Sequence, residues 1–169
     1  ISNYYLKKLN PEAKVLDLEN LMKLKNVKSL DILKIKKIDL IKYDYIILPG
    51  YLIKHLASNT VDVFVNTRSF MEMNIETVNF YFSQIHRLIN SGGIFYCVNR
   101  YKKKTSGDTI KFKKFPFDEN WSFEISRKSF SQPLIHEALL KRTLLRNYKL
   151  RKELMRLKPY DFEFFRNLI

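Results

Sequence analysis

The pattern of apolar and polar positions is sharpest between Val61 and Arg100, and the chain is organised around that stretch. Val61 to Asn66 (VDVFVN) is an apolar, β-branched run. Gly92-Gly93 opens a second such run, Ile94 to Val98, and both read as strands buried on two faces. Between them Ile75, Val78, Phe82, Ile85 and Ile89 recur at spacings of three and four, the period of an amphipathic helix. Asn74 supplies its N-cap, Glu76 a negative charge in its first turn, and Gly92 the residue just past its end. Strand, loop, helix, glycine and strand make a βαβ unit, which belongs in a parallel sheet whose ligands sit at the carboxyl ends of the strands. The loop running from Asn66 through Thr67, Arg68, Ser69 and Glu72 to Met73 is therefore where chemistry is expected.

The flanking patterns are weaker. Ile1 to Leu9 reads as the end of a helix stopped by Asn10-Pro11, and Ala13 to Leu18 as a strand. Glu19 to Lys42 mixes leucine, isoleucine and lysine without a clear period. Tyr43 to Leu48 reads as a strand ended by Pro49-Gly50, and Leu52 to Ala57 as a short helix. Lys102 to Asp108 reads as a charged, mobile loop. Thr109 to Phe115 and Trp121 to Ser126 read as the two strands of an antiparallel hairpin around Pro116 to Asn120. Pro133 to Leu157 reads as one long helix, with Phe162 to Phe165 packing the C-terminus back onto the body. The expected fold is α/β: a Rossmann-like, mostly parallel sheet with a C-terminal antiparallel hairpin. It forms a single domain over residues 1–169, with sheet and helices in 1–132 and a helical segment in 133–169.

Composition adds bounds. The 169 residues suffice for one core, and no apolar run approaches the ~18 residues of a membrane span. The single cysteine, Cys97, excludes a disulfide framework and points to a reducing, cytoplasmic setting. A net charge of +14 would suit a nucleic-acid partner, but the charge is +5 over residues 1–60, zero over 61–100 and +9 over 101–169. The best-organised segment is thus neutral. Lys, Ile, Asn, Phe and Tyr are abundant together, as A/T-rich codons would make them.

The run VDVFVNTRSFMEMNIETVNFYF, then GGIFYCVNRY, GDTIKFKKFPFDENW and the Ile135-His136-Glu137 segment resemble the bacterial sugar O-methyltransferases, a class I S-adenosylmethionine-dependent family. The likeness covers roughly residues 1–145 and implies methyl transfer to a sugar hydroxyl of a surface glycan or glycoconjugate precursor. It also implies a cofactor loop rich in glycine and an acidic residue for the ribose. This chain has neither, since its glycines are only Gly50, Gly92, Gly93 and Gly107. On the resemblance those parts would lie upstream of Ile1, which makes the chain an N-terminally truncated methyltransferase domain, inactive alone.

Further roles follow from the resemblance. Pro49, Gly50 and Tyr51 border the adenine, with Tyr51 able to stack on it, while Asn66 and Thr67 face the methionine part. Arg68, Ser69 and Glu137 would contact the sugar. A sugar hydroxyl must lose a proton as it attacks, and His136, expected at the mouth of the last helix, is the first candidate base. His86 and His55 are read as bystanders. Glu72 is the second acid of interest. It could accept hydrogen bonds from the sugar, ligate a divalent metal as in some similar sugar methyltransferases, or simply pair with Arg68. No His/Cys cluster has zinc spacing.

A different class of function rests on Arg142, Arg146, Lys149, Lys152 and Arg156, which in a long helix would form one basic face for nucleic acid or an anionic surface. The bland alternative is the wet side of a packed helix, and it makes a nucleic-acid partner the weaker expectation.

Overall fold

Local chemistry sets the first elements of the chain. In the computed structural model, which describes residues 2–26, 28–29, 33–105, 108–130 and 132–159, helix α1 (Ser2–Leu9) stops at Asn10-Pro11. Strand β1 (Val15–Asp17) ends in an aspartate whose Oδ1 accepts the Asn20 N–H at 2.9 Å and so caps α2 (Leu18–Lys25). Asn26 closes that helix in the left-handed region, φ 50°, a conformation asparagine tolerates. A short α3 (Lys37–Leu40) leads to β2 (Tyr45–Ile47), parallel to β1, and a 3₁₀ turn over Gly50–His55 follows. Leu16, Leu21, Leu33, Ile35 and Leu52 form an aliphatic core, none more than 1 % exposed.

The chain divides into two units, Ile1–Thr60 and Val61–Ile169, each with its own core. The second holds the expected βαβ: β3 (Val61–Thr67), a 3₁₀ turn over Phe70–Glu72, α4 (Ile75–Leu88) and β4 (Ile89–Arg100), with β3 and β4 parallel. Asn74 caps α4 as its sequence indicates, accepting the Thr77 N–H at 2.8 Å. Gly92 plays a different part from the one expected. The helix ends directly in extended Ile89, and Gly92, at φ 85°, lies in a bulge of β4 where five residues of β4 pass two of β3. Gly93 is required there, because a Cβ would come within 2.6 Å of the Ile89 side chain and 3.0 Å of the Asp62 carbonyl oxygen.

Three expectations are corrected beyond Arg100. The charged segment is a hairpin rather than a free loop, β5 (Lys102–Thr105) pairing with β6 (Asp108–Lys111). Thr109 to Phe115 do not pair with the Trp121 segment, since the first three lie in β6 and pair with β5; the antiparallel partner of β7 (Trp121–Lys128) is β8 (Ile135–Arg142). The long helix over residues 133–157 is absent: its first half is β8, and only α5 (Leu150–Arg156) is helical. The four-stranded sheet runs β3-β4-β8-β7, parallel in its first pair and antiparallel in the rest, so the fold is mixed α/β with a closing antiparallel hairpin. Residues 162–165 lie outside the described residues.

One face of this sheet carries Phe95, Cys97, Ala138 and Leu140 into a core with Phe70, Phe82, Phe112, Phe115, Phe117 and Trp121. Phe82 sits at its centre, edge-on to Phe117 at 4.8 Å. The other face is not buried as expected, for Val63 and Val65 remain 57 % and 58 % exposed. Among the described residues no helix is long and apolar enough to cross a membrane.

Candidate functional site

At the carboxyl ends of β3 and β4 the parallel register sets Asn66 beside Cys97 and Thr67 beside Val98, with Asn99 two residues beyond Cys97. Asn66 is nearly buried and Asn99 wholly so. Asn66 Nδ2 donates to Ser69 Oγ, which turns Asn66 Oδ1 toward Asn99 Nδ2 at 2.9 Å. Asn99 Oδ1 then has no partner among the described residues, an orphan acceptor in a buried setting. Ser69, itself exposed, accepts one hydrogen bond there, and its hydroxyl can still donate. Asn99 escaped the sequence reading. Its signal was there, since Phe95, Cys97 and Asn99 alternate along one strand face and a polar side chain ends that buried line.

The loop after β3 turns through Arg68 at φ 65°, a left-handed backbone that a long side chain adopts only when its surroundings impose it. The Arg68 N–H holds the Val98 carbonyl at 2.7 Å. Its side chain does not pair with Glu72. The Glu72 carboxylate instead meets Lys103 of β5, which fixes the motif loop to the β5–β6 hairpin.

His136 occupies β8, not the mouth of a helix. It is 2 % exposed, with Nδ1 at 2.9 Å from Tyr101 Oη and Nε2 at 3.2 Å from Ser126 Oγ, and its ring packs on Phe112. Burial lowers its pKa to about 4. Both ring nitrogens are engaged, so the geometry is that of a neutral core histidine. Glu137 lies next in the strand and points to the opposite face, where the hydrogen bond from Arg127 Nε at 2.8 Å keeps its carboxyl below the usual range. The structure therefore does not bring His136 and Glu137 to one site. Cys97 is buried in the core of the second unit, and burial pushes its thiol up to about 12, which leaves it unreactive.

Pro49, Gly50 and Tyr51 belong to the first unit, where Pro49 precedes the 3₁₀ turn and Tyr51 is 53 % exposed. The second unit holds Asn66, Thr67, Arg68, Ser69 and Glu72. Among the described residues no glycine sits at the carboxyl end of β1 or β3, so these residues do not make the backbone cradle that an S-adenosylmethionine nucleoside would need. No cluster of three or more His, Cys, Asp or Glu side chains among them could hold a metal ion.

A hollow of about 750 Å³ lies at the other end of β4 from these residues. It is open, lined by Ser91, Gly92 and residues 141–149, and so sits at the amino end of β4. Nearby, Arg142 binds Asp118 and lies 5.0 Å over the Trp121 ring, while the Asp118 carboxylate also faces His86 Nδ1 at 3.5 Å. This cluster ties the end of α4 to the sheet. Because Arg142 is in β8 and only Lys152 and Arg156 of the five basic residues are in α5, the basic helix face does not exist, and a nucleic-acid module is not favoured.

No protein-family model matches the sequence, and no curated protein matches it. Among solved structures the chain is similar to a protein described as a type 11 methyltransferase from Sulfolobus solfataricus, at 18 % identity and a TM-score of 0.42, over 86 % of this chain and 94 % of that one. It is also similar to a protein in a structure concerning conversion of a disulfide bond into a thioacetal group during echinomycin biosynthesis, at 14 % identity and a TM-score of 0.42, over 92 % of this chain and 88 % of that one. At that level neither likeness bears on activity.

Proposed function

We propose that this chain carries the acceptor side of an S-adenosylmethionine-dependent O-methyltransferase whose substrate is a sugar hydroxyl, in a reducing, cytoplasmic setting. The observation that carries the reading is the amide chain Ser69–Asn66–Asn99 at the carboxyl end of the βαβ unit, within the segment that resembles the sugar methyltransferases. Its exposed end is the Ser69 hydroxyl, an uncharged group that both donates and accepts as sugar hydroxyls do, while Asn99 Oδ1 is an unpaired acceptor buried behind it. Glu72, on the same loop and held by Lys103, is the proposed proton acceptor for the attacking hydroxyl. Since the cofactor cradle is not formed by these residues, their part is confined to binding, orienting and deprotonating the acceptor.

Calorimetry tests the assignment. S-adenosylmethionine is expected not to bind this chain measurably, and to bind at micromolar concentration when the chain is produced with the coding sequence that precedes Ile1. Absence of binding in both preparations would overturn the methyltransferase reading.

A further inference from the structure

A second polar feature lies beside the candidate site. The β5–β6 hairpin leaves the carboxyl end of β4 through Tyr101, and its register sets Lys102 directly opposite Lys111. Like charges directly opposed across a strand pair repel and destabilise the pair. Lys103 and Ile110, the next opposed pair, point to the other face, where Ile110 is buried in the core and Lys103 holds Glu72. Lys102 and Lys111, with Lys113 and Lys158, line a cavity of about 280 Å³ closed by Tyr101 and Leu157. Among the described residues no carboxylate lines it, and none of the four lysines has a carboxylate partner.

Four lysines line one hollow, two of them set directly opposite by strand register, and among the described residues their positive charge is uncompensated, so an anion would neutralise it. The size is informative too. The cavity is at the lower edge of the ~300–1,000 Å³ typical of whole-ligand pockets, so it suits a charged group on a larger molecule rather than the whole molecule. Because the hairpin strand that supplies Lys102 also supplies the Lys103 that fixes Glu72, the cavity and the acceptor site share an end of the sheet.

We infer that this cavity is a phosphate-binding subsite, and that the sugar acceptor carries a phosphate or diphosphate group which docks there. The anion site stands on the geometry alone; its assignment to the sugar substrate rests on the methyltransferase reading.

The test uses the whole chain and inorganic pyrophosphate, without S-adenosylmethionine, so its outcome is independent of methyl transfer. Pyrophosphate is expected to raise the melting temperature of the wild type in a saturable way and to bind about ten- to a hundredfold more weakly to the K102Q/K111Q double variant. K149Q/K152Q, the same charge change elsewhere, should bind like wild type. The pocket variant alone should melt at or above the wild-type temperature, because the opposed charges are gone. Comparable binding by the two double variants would mean general charge attraction and overturn the subsite. A fall in the melting temperature of K102Q/K111Q would mean that the lysines are already paired within the protein, and would overturn it equally. Uridine diphosphate and vesicles containing phosphatidic acid separate the sources: lysine-dependent binding of the first supports a nucleotide-borne phosphate, and of the second a lipid-borne one. If none of the three probes binds in a lysine-dependent way, the inference falls.

Discussion

His136 and Asn99 are directly opposed across β8 and β4, both are buried polar side chains, and they are finished differently. The imidazole is closed, with Tyr101 on one nitrogen and Ser126 on the other. The amide chain is open, running from the Ser69 hydroxyl through Asn66 to an acceptor with no partner. A satisfied buried group holds a fold together, whereas an unsatisfied one costs stability and is retained for something else. On the proposed reading the chemistry sits in the motif loop and the histidine is structural, although a histidine is the more familiar base.

The largest effect that would break the contrast is on turnover. In the protein produced with its upstream coding sequence, Glu72→Gln is expected to lower kcat on a sugar acceptor about a hundred- to ten-thousandfold while leaving the melting temperature nearly unchanged, since the Glu72 side chain is 60 % exposed. His136→Gln retaining turnover in the same assay would sharpen the contrast; a loss as deep as that of Glu72→Gln would reverse it.

Stability comes next. His136→Ala opens a cavity and leaves Tyr101 and Ser126 facing it, so urea unfolding should show a loss of about 3 kcal/mol. Asn99→Leu removes the orphan acceptor at similar volume but also takes the donor from Asn66 Oδ1, and should cost about 1 kcal/mol, less than the loss at His136. Equal costs at the two positions would show that Asn99 is structural as well.

The last effect is in acid. A histidine whose pKa is lowered on folding, from 6.5 to about 4, stabilises the fold fully above pH 6.5 and loses that contribution as pH falls toward 4, because the unfolded chain takes up the proton first. The urea midpoint should therefore decline across that window. In His136→Gln the decline should be shallower, with the part due to buried His86, lowered likewise by burial, remaining. An unchanged slope would place the titration elsewhere.

Much of the βαβ unit was legible in the sequence because several local signals agreed there: the Asn74 cap, the three-four spacing of Val78, Phe82 and Ile85, and β-branched strands on either side. Strand β8 was not. His136, Ala138 and Leu140 do alternate inward, but Glu137, Ala138, Leu139, Leu140 and Lys141 are all strong helix formers, and pairing with β4 and β7 on both sides overrode that preference. The lysines of β5 suggested a solvated loop for a similar reason, since the partner strand that orders them is only visible in three dimensions. In the site, Asn66, Ser69 and Glu72 were marked by the loop they share, while the company each side chain keeps was beyond reach: Lys103 rather than Arg68 for Glu72, and Asn99 for Asn66.

The bulge at Gly93 bears on how such a chain can change. Two residues of β3 are matched by five of β4, an odd surplus of three, and side chains alternate faces with every residue. The length of the segment between Ile89 and Ile94 thus acts as a reading frame for the strand beyond it. Deleting a single residue there would carry Phe95, Cys97 and Asn99 to the outer face and bring Ile94, Tyr96 and Val98 inward, exchanging core for surface along the whole strand. An indel of one residue here, though small, would reach the amide chain at the far end of β4 without touching any residue in it.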